Sequence, residues 1–285
     1  MRDTSLSLLI KISLLLLPIG FLAGCSDAPE NAKPPANQNV NKTESKPPLD
    51  PIEEKKLLDG AQRLIDQNKN VEAIQLLDDF ISRETSIVRA YQLRADAKGR
   101  QKDCAGAIPD WSKILELEPD NHDALVSRGT CYVYTNTKEN KEKAVTDFTQ
   151  ALKLKPHDAH VLGLRGWAED GLGEREATQL DLEEAIKLQP KNENAHAILA
   201  GSYNATSDWE KSMKVCDEGL QMFPKSSWMM ISRADAEKHL GKYREAIADY
   251  KAAYAIAPKT WDWTRPGMEE CYEKLLDKEG KNKSK

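Results

Sequence analysis

Thiols, imidazoles and carboxylates are the side chains here that could do chemistry, and their spacing argues against catalysis. Cys104, Cys131, Cys216 and Cys271 lie far apart, with no Cys-x-x-Cys among them. His157 and His160 form a short pair at a predicted helix start. No Cys or further His stands near them, so they read as a solvated turn rather than metal ligands. The acid pairs Asp78-Asp79 and Glu183-Glu184 read as exposed helix faces. There is no Gly-x-Ser-x-Gly, no phosphate loop and no His-Glu-x-x-His. The expectation is a protein that is not an enzyme and takes no cofactor or metal.

The fifth cysteine, Cys25, has a different setting. Arg2 and Lys11 precede an apolar run from Ile12 to Leu22, which ends in Leu22-Ala23-Gly24-Cys25. The run is shorter than the roughly 20 residues a spanning helix needs and fits a secretory signal. Leu-Ala-Gly-Cys resembles the lipobox of bacterial lipoproteins. That resemblance implies cleavage after Gly24, with residues 1–24 as signal peptide, and lipid attachment at Cys25. Two or three acyl chains suffice for an anchor, each buried methylene contributing about 0.8 kcal/mol. Ser26, where inner-membrane lipoproteins carry Asp, makes the resemblance favour an outer membrane facing the periplasm in a Gram-negative cell. Residues 25–51 hold Pro29, Pro34, Pro35, Pro47 and Pro48 among polar residues and are expected to be a flexible tether. The net charge of −5 is spread among interspersed acids and bases. It gives no reason to expect nucleic acid as a partner.

The rest is organised by repetition. Pro156, Pro190, Pro224 and Pro258 recur every 34 residues, and Pro119 lies 37 before Pro156. Counting from these prolines gives six units at about 54–87, 88–121, 122–158, 159–192, 193–226 and 227–260. The eighth position of each unit is small: Ala61, Ala95, Gly129, Gly166, Ala200, Ala234. So is the twentieth, once three extra residues between Thr135 and Lys143 of the third unit are set aside: Ala73, Ala107, Ala144, Thr178, Ser212, Ala246. Small residues twelve apart on consecutive helices let antiparallel helices approach closely. Trp111, Phe148, Leu182 and Tyr250 recur four positions beyond the second small residue, and Leu115, Leu152, Ile186 and Leu220 four beyond that. Together they mark one apolar stripe. Asn121, Asp158, Asn192, Ser226 and Thr260 stand where N-caps are needed.

This pattern resembles the tetratricopeptide repeat (TPR) over residues 52–260. The resemblance implies an all-α solenoid, a right-handed superhelix of helix-turn-helix repeats. A capping helix is expected within 261–280 to cover the open end, with a disordered tail at 281–285. The family's Trp at position four is absent: Leu57, Tyr91, Leu125, Leu162, His196 and Met230 stand there.

Two further readings follow from the units. Position seven is Arg in four of them (Arg94, Arg128, Arg165, Arg233), and position twenty-three is Asp in the same four (Asp110, Asp147, Asp181, Asp249). In the other two both charges vanish together, as Gly60 with Leu76 and Leu199 with Val215. An Arg–Asp bridge between the two helices of a unit is therefore expected. Cys104 begins the second helix of one unit and Cys131 lies on the next helix, so a disulfide between them stays open.

The TPR resemblance also implies a concave groove lined by first helices. Carried onto this chain, its partner-facing positions include Arg89, Asp96, Arg100, Tyr134, His160, Trp167, Asp170, Asn204, Trp228, Asp235 and Lys238. The Lys and Asn array that clamps a C-terminal carboxylate in some members is absent, since position nine reads Asp96, Thr130, Trp167, Gly201, Asp235. Gly163 leaves space beside Trp167, which either anchors a partner or packs within the superhelix. The expected function is a lipid-anchored scaffold or adaptor in the bacterial cell envelope. It would bind a protein or peptide partner in the groove, by similarity to lipoproteins of outer-membrane or pilus assembly. The alternative is a structural or regulatory subunit of an envelope enzyme such as a peptidoglycan synthase or hydrolase.

Overall fold

The structure, a computed structural model, describes residues 49–283. The expected signal peptide, the lipid site at Cys25 and all but the end of the tether lie outside the described residues. Within them the chain is helical and contains no strand. The helices are α1 (Pro51–Asp66), α2 (Asn70–Arg83), α3 (Val88–Arg100), α4 (Cys104–Leu117), α5 (His122–Thr135), α6 (Lys138–Leu154) and α7 (Ala159–Asp170). There follow α8 (Arg175–Leu188), α9 (Glu193–Ala205), α10 (Trp209–Met222), α11 (Ser227–His239), α12 (Tyr243–Ile256) and, after a 3-10 turn at Pro258–Thr260, α13 (Trp261–Lys283). Among the described residues no helix is long and apolar enough to cross a membrane.

Each helix packs on the next, and first helices also meet along the array: α1 with α3, α5 with α7, α7 with α9, α9 with α11 and α11 with α13. No second helix touches another second helix to a comparable degree. First helices therefore lie on the inside of the bend. The core follows suit. It is a chain of apolar clusters handed from unit to unit, rather than one centre.

All twelve small residues at positions eight and twenty are buried. A Cβ on Gly129 would stand 2.7 Å from the Phe148 ring, and one on Gly166 2.8 Å from Leu182 Cγ. The backbones are that close. Turn chemistry repeats as strictly: position fifteen of every unit is left-handed. Asn68 (φ 60°), Lys102 (64°), Asn136 (55°), Gly173 (83°), Ser207 (65°) and Gly241 (75°) reverse the chain between paired helices. Only two of the six are glycine, so composition alone hides the regularity.

Several details differ from the expectations. Asn121, Asp158 and Asn192 cap their helices through the side chain, but Ser226 makes no such bond and Thr260 turns its hydroxyl to the Ala257 carbonyl. Ser226 is buried with its hydroxyl unpartnered, and Thr260 is already inside the 3-10 turn. The three extra residues of the third unit extend α6 to 17 residues, against 14 for α8. At the ends, α1 begins at Pro51, where Asp50 accepts from the Ile52 and Glu53 amides, and the terminal helix continues to Lys283, past residue 280.

All four expected bridges form. Arg94, Arg128, Arg165 and Arg233 each grip the Asp of the same unit with two guanidinium nitrogens. The sequence reading missed the third contact: each arginine also reaches back sixteen residues, to Asp78, Ser112, Thr149 and Asp217 respectively. Every such arginine thus joins three helices.

Candidate functional site

One first-helix junction departs from the rest. Between α3 and α5 the inner contact is weaker than at every other first-helix junction. A cleft of about 650 Å³ opens there. Small side chains on both sides make room for it: Ala95 and Gly99 on α3, Ser127 and Thr130 on α5. Its floor is apolar, from Ile65, Leu93, Trp111, Val126, Cys104 and Cys131, with Trp111 supplied from α4 behind. Its rim is polar, from Gln62, Asp96, Arg100, Tyr134 and His160. An apolar floor under a few convergent polar groups is the usual character of a ligand site.

Of the eleven groove residues expected from sequence, Asp96, Arg100, Tyr134 and His160 meet at this cleft. Tyr134 is 63% exposed, and Trp167 stands edge-on to it with ring centroids 5.5 Å apart. The wall around Asp96 raises its carboxyl above the usual range, and Arg100 one turn on opposes that rise. The other six are engaged elsewhere. Arg89 lies 3.9 Å from Asp59, both well exposed. Asp170 is held by Arg175, and the Asn204 amide donates to the Ser232 carbonyl at 2.7 Å. Asp235 accepts from the Tyr250 hydroxyl, Lys238 pairs with Glu270 at 2.9 Å, and Trp228 lies over Trp263 at 5.1 Å.

Gln62, Thr130, Trp111 and the two cysteines are lining residues that the sequence reading did not assign to partner binding. Gln62 and Thr130 share position nine with Asp96, so register held that signal. The thin α3–α5 contact, beside which the cleft opens, leaves no mark in a one-dimensional pattern.

Cys104, Cys131, Cys216 and Cys271 are all free thiols. The disulfide left open above is therefore not formed in this structure. Cys104 and Cys131 nevertheless lie together on the cleft floor. Burial, and then the neighbouring Cys104, push the Cys131 thiol up to about 12. Among the described residues no group of three or more His, Cys, Asp or Glu side chains is placed to hold a metal.

A second hollow of about 670 Å³ lies on the second-helix side, between α4 and α6. Its charged wall includes Arg128 and Asp147, which already bind each other. It offers a partner less than the inner cleft does.

Residues 229–260 match the Tetratricopeptide repeat family model. Superkiller complex protein 3 of Mus musculus is 21% identical over 192 residues, covering 66% of this chain and 12% of that protein. The chain spans between 12% and 21% of the length of the first curated relatives it matches. Among solved structures, a tetratricopeptide repeat protein from Parabacteroides merdae covers 80% of this chain and 92% of its own, at 18% identity and a TM-score of 0.61. YrrB, described as a TPR protein with an unusual peptide-binding site, covers 64% and 92% at 16% identity and a TM-score of 0.54. With the repeated small-residue contacts and the paired helices, the family match and the solved structures agree on one architecture: the described chain is a tetratricopeptide-repeat solenoid.

Proposed function

We propose that this chain is a lipid-anchored adaptor of the bacterial cell envelope, and that the cleft between α3 and α5 holds an extended segment of a partner protein. The observation that carries the reading is the cleft itself. It is an opening at one inner junction, with an apolar floor for a bulky side chain and Asp96, Arg100, Tyr134 and His160 around it for the partner's polar groups. Tyr and Arg are among the residues that dominate binding energy at desolvated contacts. YrrB, of similar fold, has a peptide-binding site. The anchor rests on the Leu-Ala-Gly-Cys run ending at Cys25, and Ser26 favours the periplasmic face of an outer membrane.

A photo-crosslinking residue in place of Thr130, in the cleft, is compared in cells with one in place of the exposed Val71. The adaptor reading expects a discrete crosslinked partner from position 130 and none from 71, reduced at least tenfold by Arg100→Glu with Tyr134→Ala. Equal labelling from both positions, or no loss in the double variant, overturns the cleft as the binding site. Labelled palmitate that enters Cys25→Ser as well as the native chain overturns the anchor.

A further inference from the structure

The cleft floor carries two thiols that the proposed binding role does not use. Cys104 is the first residue of α4, half-buried and open to the cleft, and Cys131 is buried on α5 in the same apolar cluster. By contrast, Cys216 and Cys271 are fully buried in clusters of their own. We propose that Cys104 and Cys131 are a thiol pair that an external disulfide oxidises to a bridge between α4 and α5 across the cleft floor.

Three observations support this. The two cysteines line one cavity that is open to solvent, so a small disulfide can reach them. They come from helices packed directly on one another. And the first turn of α4 can yield. Pro109, inside the helix, has no N–H for the Ala105 carbonyl, so the turn bearing Cys104 is tied less firmly to the rest of α4. A bridge needs its Cα atoms within about 7 Å, and a yielding first turn is where such an adjustment costs least.

The order of events follows from exposure. Cys104, as thiolate, attacks one sulfur of an external disulfide R–S–S–R, forming Cys104–S–S–R and releasing the first RS⁻. The Cys131 sulfur then gives up its proton and attacks the Cys104 sulfur, expelling the second RS⁻. Two electrons pass from the pair to the external disulfide, which leaves as two RSH. Cys131 is buried and held protonated, so it is the resolving thiol and not the entry point. None of this depends on what fills the cleft.

The test uses the full chain, with glutathione disulfide as the probe. After treatment, remaining thiols are alkylated and the digest is mapped by mass spectrometry without reduction. In the native chain Cys104 and Cys131 lose alkylation together and appear as one linked peptide pair, while Cys216 and Cys271 keep theirs under denaturing alkylation. In Cys131→Ser a glutathione adduct accumulates on Cys104. In Cys104→Ser the chain stays folded by circular dichroism and Cys131 takes up at least tenfold less glutathione. Three results overturn the proposal: both thiols still alkylatable in the native chain under excess glutathione disulfide, an unresolved adduct on Cys104 in the native chain, or an adduct on Cys131 in Cys104→Ser equal to that on Cys104 in Cys131→Ser.

Discussion

Arg165 holds Asp181 in a two-pronged bridge, Nε donating to Oδ2 at 2.6 Å and Nη2 to Oδ1 at 2.7 Å. Its remaining nitrogen, Nη1, donates to Thr149 Oγ1 at 3.2 Å in the preceding unit. Asp181 is nearly out of solvent and Arg165 about three-quarters so. Removing one partner strands a charge in a poor solvent, whereas removing both does not. Asp181→Leu alone is expected to cost about 3 kcal/mol, and Arg165→Leu with Asp181→Leu clearly less than the two single losses added. Urea midpoints across the four-member cycle check this. Additive losses would mean that the two charges do not interact.

The close approach of α7 to α8 gives a second prediction. Gly166→Ala sets a Cβ 2.8 Å from Leu182 Cγ and 2.9 Å from its Cδ2. Either Leu182 leaves its rotamer or the helices part, at about 1–3 kcal/mol. The thermal midpoint should fall by several degrees, and Gly166→Ala with Leu182→Ala, which removes the clashing Cγ, should lose clearly less than the two single changes added.

Ser207 occupies the left-handed turn position with φ 65°, where a side chain costs roughly 1–2 kcal/mol relative to glycine. Glycine's greater freedom in the unfolded chain returns part of that. Ser207→Gly is expected to raise the thermal midpoint by a few degrees, matching what Gly173 and Gly241 already provide in their units.

Glu169 and Glu237 share position eleven in the fourth and sixth units, each buried beside an Arg–Asp bridge with one carboxylate oxygen lacking a partner. Burial, then the nearby Asp181 or Asp249, raises each to about 7, against the opposing pull of Arg165 or Arg233. The folded state therefore holds protons that the unfolded state releases from about pH 4.5 upward. Stability falls as pH rises from there through 7. Glu169→Gln with Glu237→Gln should remove that fall and be the more stable at pH 8, by on the order of 2 kcal/mol per site. The advantage should fade toward pH 4.5. Denaturation midpoints at pH 5, 6.5 and 8 would show it, and a constant difference across that range would refute it.

How much of this was legible beforehand depended on whether a residue's role was local. Small residues at positions eight and twenty, and the paired presence and absence of Arg and Asp, are periodic, so one chain carries six trials of the same experiment. Those features gave the architecture and four bridges. The arginine's second reach, to Asp78, Ser112, Thr149 and Asp217, joins side chains of different types, and no periodic residue identity betrays it. Groove positions transferred from the family fared less evenly. Asp96, Arg100, Tyr134 and His160 meet at the cleft, while Asp170, Asn204, Asp235 and Lys238 are bonded within the chain. Whether an inner-face polar group is free depends on neighbours one unit away, and a position number cannot carry that.

The absence of the arginine staple from the fifth unit, where Leu199 and Val215 pack in its place, bears on how the rod comes apart. Where contacts run only between neighbours, cooperativity is transmitted one junction at a time. A unit whose two helices are joined without that charged bridge, between units that have it, is a natural fault line. Amide exchange should divide the molecule there into two blocks with separate opening energies, so that the half bearing the cleft can stay intact while the far end breathes.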